Sequence, residues 1–234
     1  MSKLSIVSAG AAKGLVEALQ GDWTATSGAA IEGTFGAVGA MKEKLLSGTA
    51  CDVLILTQAL LDGLAAQGVI AGDSIRPLGR VFTGIAVPDG AAAPPIDTPD
   101  ALRDTLTRAS AIYFPDPERA TAGIHFAKVL RELGIADAVS SRLRTYPNGA
   151  TAMRELAQAG DPAALGCTQV TEILYTRGVR LAGLLPKAFE LSTLYCVAVC
   201  TASGQEALAR DFVSLVAGPS TAPLREQGGF TRVT

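Results

Sequence analysis

The chain has a single histidine, His125, set in Asp-Pro-Glu-Arg-Ala-Thr-Ala-Gly-Ile-His-Phe at residues 116–126. An imidazole titrates near neutral pH and is well suited to moving a proton there. A histidine near a helix start can also serve as a cap or contact a ligand without any proton transfer, and the stretch alone leaves these readings open. Lys13 falls in the first turn of the first helical pattern, directly after Gly10-Ala11-Ala12. A cation there opposes the helix dipole. Its position points to an anionic partner, for which an ammonium is a fitting point charge, or to a solvated side chain at an exposed helix end. Hydroxyls close two strand-like runs at Ser8 and Thr57, and Thr121-Ala122-Gly123 leads into the histidine. Thr168 and Gln169 follow an apolar run, from which they could reach a ligand. Asn148 and Gly149 could contact a ligand or only form a turn. Asp116 and Arg119 read as a solvated loop as readily as a site, and Tyr195 as a packing residue.

These side chains must be positioned by elements that the hydrophobic pattern defines. Strand-like runs are predicted at 4–9, 29–35, 51–57, 81–88 and 110–116, within 141–149, within 163–174 where a short helix follows, and at 191–201. Helical patterns are predicted at 12–23, 36–48, 58–68, near 100–109, at 121–134 and 150–160, and finally at 203–218 with Ser203 as a hydroxyl cap. Strands alternating with helices make an α/β protein with mostly parallel sheets. A recurring unit is a strand that ends in small residues and passes at once into a helix, at 8–12, 35–40, 57–60 and 116–123. Unsatisfied amides at a helix N-terminus attract anions. Small residues such as Gly10, Gly36 and Gly123 let a ligand come close to the backbone. In open parallel sheets ligands lie beyond the carboxyl ends of the strands.

Composition narrows the partners. The 234 residues are 48% hydrophobic and 18% charged with a net charge of −2, which supports a large core and argues against disorder. There is no basic run or basic-aromatic stripe, so no nucleic-acid partner is expected. No stretch reaches the ~20 apolar residues that cross a bilayer, so no membrane insertion is expected. One histidine and no CxxC argue against a zinc site. No metal or organic cofactor is expected, since neither GxGxxG nor GxxxxGK[ST] occurs. Cys51, Cys167, Cys196 and Cys200 all lie in apolar runs, with Cys196 and Cys200 on one strand face, and read as buried free thiols. Free thiols suit a reducing compartment. The N-terminal stretch reads as strand then helix rather than as a secretory leader. The expected location is therefore cytoplasmic, or periplasmic if a signal peptide was removed. The sequence leaves the oligomeric state open.

The order of elements resembles the molybdate-binding branch of the type II periplasmic binding proteins. The resemblance rests on LSIVSAGAAKGLVEAL, GTFGAVGAMKEKLLSGTACDVLILT, YFPDPERATAGIHFAKVLRELGI and STLYCVAVCTASGQEALARDFVSLVAGPSTAPLREQGGF, and it covers nearly the whole chain. It implies two α/β lobes with a ligand cleft between them. One lobe would hold residues 1–80 and 195–234 and the other 84–190, with crossings near 81–84 and 190–195. Molybdate receptors present serines at the first two junctions, where this sequence has Ala11, Val38 and Gly39. Missing hydroxyls would leave oxygens of a dehydrated oxyanion unpaired. Lys13 and the Gly-x-His-Phe after the Asp-Pro loop make the chain similar to a short, signal-less subgroup that aconitate isomerase also resembles.

Two functions follow from the resemblance. The first is a solute-binding-like protein that holds a small anion, carboxylate or oxyanion, in the inter-lobe cleft. The alternative is an isomerase that shifts an allylic proton on an unsaturated di- or tricarboxylate, with His125 as the base. Lys13 and the helix amides would then hold the carboxylates and the charge that develops.

Overall fold

A computed structural model describes residues 2–233. In chain order it runs β1 (Lys3–Ala9), α1 (Lys13–Ser27), β2 (Ala30–Gly36), α2 (Val38–Leu46), β3 (Val53–Thr57), α3 (Gln58–Ala66), β4 (Arg76–Pro88), α4 (Pro99–Arg108), β5 (Ile112–Pro115) and α5 (Thr121–Glu132). It continues through α6 (Ala136–Val139), β6 (Leu143–Tyr146), α7 (Gly149–Ala159), β7 (Leu165–Gln169), α8 (Val170–Tyr175), β8 (Val179–Leu184), β9 (Ser192–Val199), α9 (Glu206–Ala217) and α10 (Ala222–Gln227). The chain forms two compact units, Met1–Val81 with Thr193–Thr234, and Phe82–Ser192. It leaves the first unit within β4 and returns to it at the start of β9.

In the first unit β2, β1 and β3 are parallel neighbours, and β9 runs antiparallel beside β3. Val53 to Leu56 have no exposed surface. A strand covered on both faces must be apolar throughout, which is why this run lacks alternation. α1 buries Leu15, Val16, Leu19 and Trp23, a stripe at helical spacing. Trp23 meets Phe212 of α9 edge-to-face with ring centroids 5.1 Å apart. Gly28 closes α1 at φ +70°, a conformation that glycine adopts without a Cβ penalty.

In the second unit β4 lies between β8 and β7, both antiparallel to it, and β5 and β6 extend the sheet parallel to β7. Side chains alternate between faces. Ile85 joins a core with Ile112, Phe114, Phe126, Val129 and Cys167. Its neighbour Ala86 joins a second core with Met153, Leu156 and Ile173.

The structure corrects several sequence expectations. β8 and α10 were not predicted, and β4 begins at Arg76 rather than at 81. Arg80 N–H donates to the Thr231 carbonyl at 2.9 Å, a pairing with a distant segment that local pattern cannot show. Ser203 does not cap α9, whose N-cap is Gln205. The Ser203 hydroxyl accepts the Gln205 N–H at 3.0 Å and donates to Asp52 at 2.7 Å.

Candidate functional site

The parallel strands of each unit end along one edge, and helices start there. In the first unit Ala9 is level with Gly36, and Ser8 with Ile55. The chain leaves β1 through a short 3-10 turn, Gly10–Ala12, and enters α1 with Lys13 as its first residue. α2 and α3 start at Val38 and Gln58, beyond N-caps Ala37 and Thr57. None of these three helices has a side-chain cap or an acidic residue in its first turn. The first-turn N–H groups of α2 and α3 have no intrahelical acceptor and carry positive partial charge, whereas the first N–H of α1, Lys13, donates back to the Gly10 carbonyl and leaves the amides of the 3-10 turn as the free donors there. The edge thus carries Gly10, Ala11, Lys13, Gly36, Val38, Gly39 and Thr57. Ser8 is different. It was expected to offer its hydroxyl to a ligand, but it is wholly buried and donates to the Ala9 carbonyl at 2.9 Å. The Lys13 ammonium lies 3.7 Å from Glu17 and 6.0 Å from the Phe35 ring centroid, so a side chain one turn on moderates the opposed dipole.

In the second unit α5 begins after N-cap Ala120, again without a side-chain cap. Its first intrahelical bond is Ile124 N–H to the Ala120 carbonyl at 2.9 Å, so the amides of Thr121, Ala122 and Gly123 lie outside the helical ladder. Gly123 is required by close approach. A Cβ there would lie 2.2 Å from the Asp116 carbonyl oxygen and 2.3 Å from that of Pro115. Asp116 organises the preceding turn, accepting the Glu118 and Arg119 N–H groups at 2.7 and 3.1 Å. His125 is half-buried, with Nε2 2.8 Å from the Phe189 carbonyl oxygen. As a neutral imidazole in that contact it donates through Nε2–H, which leaves Nδ1 as the basic nitrogen.

α7 starts on the same edge, but its donors are already satisfied. Asn148 Oδ1 accepts the Thr151 N–H at 2.9 Å, so the oxygen expected to serve a ligand caps the helix. The Gly149 and Ala150 amides point to the buried carboxylate of Glu172, which also accepts the Thr168 hydroxyl at 2.6 Å. Burial raises the Glu172 pKa above the ordinary carboxylate range. The hydrogen bonds from Thr168, Ala150, Gly149 and Gln169 oppose that rise without cancelling it. Gly149 makes room for the arrangement, since a Cβ there would sit 2.0 Å from both Glu172 Oε2 and Thr168 Oγ1. Sequence reasoning passed over Glu172. The available signal was the Thr168/Glu172 spacing, one turn apart after a strand.

Gln169 ends β7 directly opposite Thr83 of β4. Residues opposed in an antiparallel pair share a face. Gln169 is 3% exposed and Thr83 1%, yet Gln169 Oε1, Gln169 Nε2 and Thr83 Oγ1 have no hydrogen-bond partner, nor has the Thr171 hydroxyl. Buried polar groups are nearly always paired, so such a cluster marks a place where a ligand or water completes the set. The Thr83 backbone joins Leu185 and Leu191 at 3.2 Å each, and these flank the Phe189 carbonyl that faces His125. Among the described residues no group of three or more His, Cys, Asp or Glu could hold a metal ion, and no helix is long and apolar enough to cross a membrane.

Alternating strands and helices in two units, with helix starts at the carboxyl ends of the parallel strands, give the α/β fold of the periplasmic binding proteins. The chain belongs to the bacterial extracellular solute-binding protein family, which it matches over residues 4–231. It is similar in fold to the periplasmic molybdate-binding protein of Azotobacter vinelandii, with a TM-score of 0.79 and 19% identity over 99% of this chain and 100% of that one. The sulfate-binding protein of Mycobacterium tuberculosis has a TM-score of 0.76 and 17% identity over 100% of this chain and 88% of its own. The sequence is 29% identical over 198 residues to the aconitate isomerase of a Pseudomonas species, which covers 83% of this chain and 72% of that protein.

Proposed function

We propose that this protein binds a small anion, a carboxylate or an oxyanion, as solute-binding proteins do. The observation that carries the reading is the set of uncapped helix starts at α1, α2, α3 and α5, together with the unpartnered Gln169 and Thr83 side chains. The candidate donors to an anion are the backbone amides at Gly10, Ala11, Gly36, Val38 and Gly39 in the first unit, with Thr57 and Lys13 beside them, and those at Thr121, Ala122 and Gly123 in the second. The site is rich in amides and poor in hydroxyls, which favours a carboxylate over a tetrahedral oxyanion. Gln169 bears on the rest of the ligand. Its Nε2 can donate to an anion, but its Oε1 needs a donor, which ionised carboxylates and oxyanions alike lack and a ligand hydroxyl supplies. A melting-temperature screen against molybdate, tungstate, sulfate and a set of di- and tricarboxylates tests this. A ligand at a hundredfold its dissociation constant adds about 2.7 kcal/mol of stability. No shift with any small anion would refute the reading.

The likeness to aconitate isomerase and the lone histidine support a second reading, a proton shift on an unsaturated di- or tricarboxylate. His125 Nδ1 would take the proton from one carbon and return it two carbons along. The amides and Lys13 would stabilise the charge that develops beside the carboxylate. Incubation with trans-aconitate in deuterium oxide distinguishes the readings, because a binder leaves the substrate unchanged and an isomerase forms the rearranged isomer, labelled to the extent that the imidazole proton exchanges with solvent before its return.

A further inference from the structure

Four cysteines are present, and the structure sets two of them apart. The Cys200 thiol donates to Cys51 Sγ at 3.3 Å although the residues are 149 positions apart in the chain. Both are buried and both belong to the first unit. The backbone holds them in place, because the β3–β9 ladder ends at Val53 opposite Val199, and one step further the Cys200 N–H donates to the Asp52 carbonyl at 2.9 Å. Asp52 is itself tied down, its carboxylate accepting the Ser5 N–H at 2.8 Å and the Ser203 hydroxyl at 2.7 Å. The other thiols have different surroundings. Cys196 donates to Gln58 Oε1 at 2.9 Å. Four positions along an extended strand also place it roughly 13 Å from Cys200. Cys167 lies in the core of the second unit.

We propose that Cys51 and Cys200 are a redox-sensitive pair that closes to a disulfide with a small diffusible oxidant such as hydrogen peroxide. The sulfurs need to approach by little more than 1 Å to reach the ~2.05 Å of a bond. The steps balance. The Cys51 thiolate attacks one peroxide oxygen, the O–O bond breaks, and a sulfenic acid and one water result. The Cys200 sulfur then attacks the Cys51 sulfur, the S–O bond breaks and a second water leaves. Two S–H bonds are lost, one S–S bond forms, and peroxide is reduced to two waters. The hydrogen bond to Cys51 and burial push the Cys200 thiol far above its ordinary pKa. Cys200 is therefore the resolving thiol rather than the attacking one, and burial keeps the pair slow to oxidise. In a reducing compartment it stays a dithiol, and in an oxidising one it closes.

The test uses the reduced native protein. It is treated with hydrogen peroxide, unfolded, alkylated without reduction, and digested for peptide mapping. The expected result is a mass loss of two hydrogens, two of the four thiols protected, and one cross-linked species joining the Cys51 and Cys200 peptides. Cys196→Ser should keep the bridge and Cys200→Ser should abolish it. Oxidised wild type should melt at a higher temperature than reduced wild type, with no such difference in Cys200→Ser. A link through Cys196 or Cys167, or four alkylated thiols after prolonged oxidation at mildly alkaline pH, would overturn the proposal.

Discussion

Gln169 and Thr83 face each other across β7 and β4, buried, and neither side chain has a hydrogen-bond partner. Leaving a buried donor or acceptor unmade costs about 1–3 kcal/mol. Gln169→Leu should therefore stabilise the unliganded protein while weakening anion binding. Urea unfolding and calorimetric titration of the same variant check the two signs. A variant that loses stability and keeps its affinity would show that the amide serves packing alone.

Gly123→Ala should be strongly destabilising, because the new Cβ meets two main-chain carbonyl oxygens near 2.2 Å and neither belongs to a flexible side chain. Relief requires moving the start of α5, so ligand affinity should fall with stability. We expect a loss of about 1–3 kcal/mol, typical of overpacking, measured by denaturant midpoint.

Glu172 makes stability depend on pH. Its folded pKa is raised, chiefly by burial, so the folded state binds the proton more tightly than the unfolded chain. Stability is then highest below the ordinary carboxylate range and falls as pH rises through the window up to the raised folded value. Glu172→Gln removes this titration. Urea unfolding from mildly acidic to neutral pH should show wild type losing stability that the variant does not lose. Parallel profiles would contradict the assignment.

His125→Ala removes the contact to the Phe189 carbonyl and should cost about 1 kcal/mol. If the protein only binds, affinity should change a few-fold at most. If it also isomerises, conversion of trans-aconitate should disappear. Full conversion by the variant would remove His125 from that chemistry.

Much of the fold could be read from short-range pattern. Val53 to Leu56 announced a covered strand, and glycines such as Gly68 and Gly134, both at positive φ, marked helix ends. β8 escaped because its residues are mostly only partly buried and its partner β4 is remote in sequence. The helix starts of α1, α2 and α3 in the first unit and of α5 in the second were legible because strand–small residue–helix junctions are local. The filling of the α7 start was not, since Glu172 lies on α8 and meets the Gly149 and Ala150 amides only in the fold. Ser8 misled because a hydroxyl at a strand end can turn back to the adjacent carbonyl, and nothing in sequence sets that rotamer.

The central claim, that uncapped helix starts hold an anion, is tested most directly by nitrogen–proton correlation spectra of the labelled protein during titration with a tricarboxylate. The account predicts saturable shifts of the backbone amides of Gly10, Ala11, Val38, Gly39, Thr121, Ala122 and Gly123 and of the Gln169 side-chain amide, with Gly149 and Ala150 little moved. Saturable shifts confined to other segments, with these amides unmoved, would contradict it.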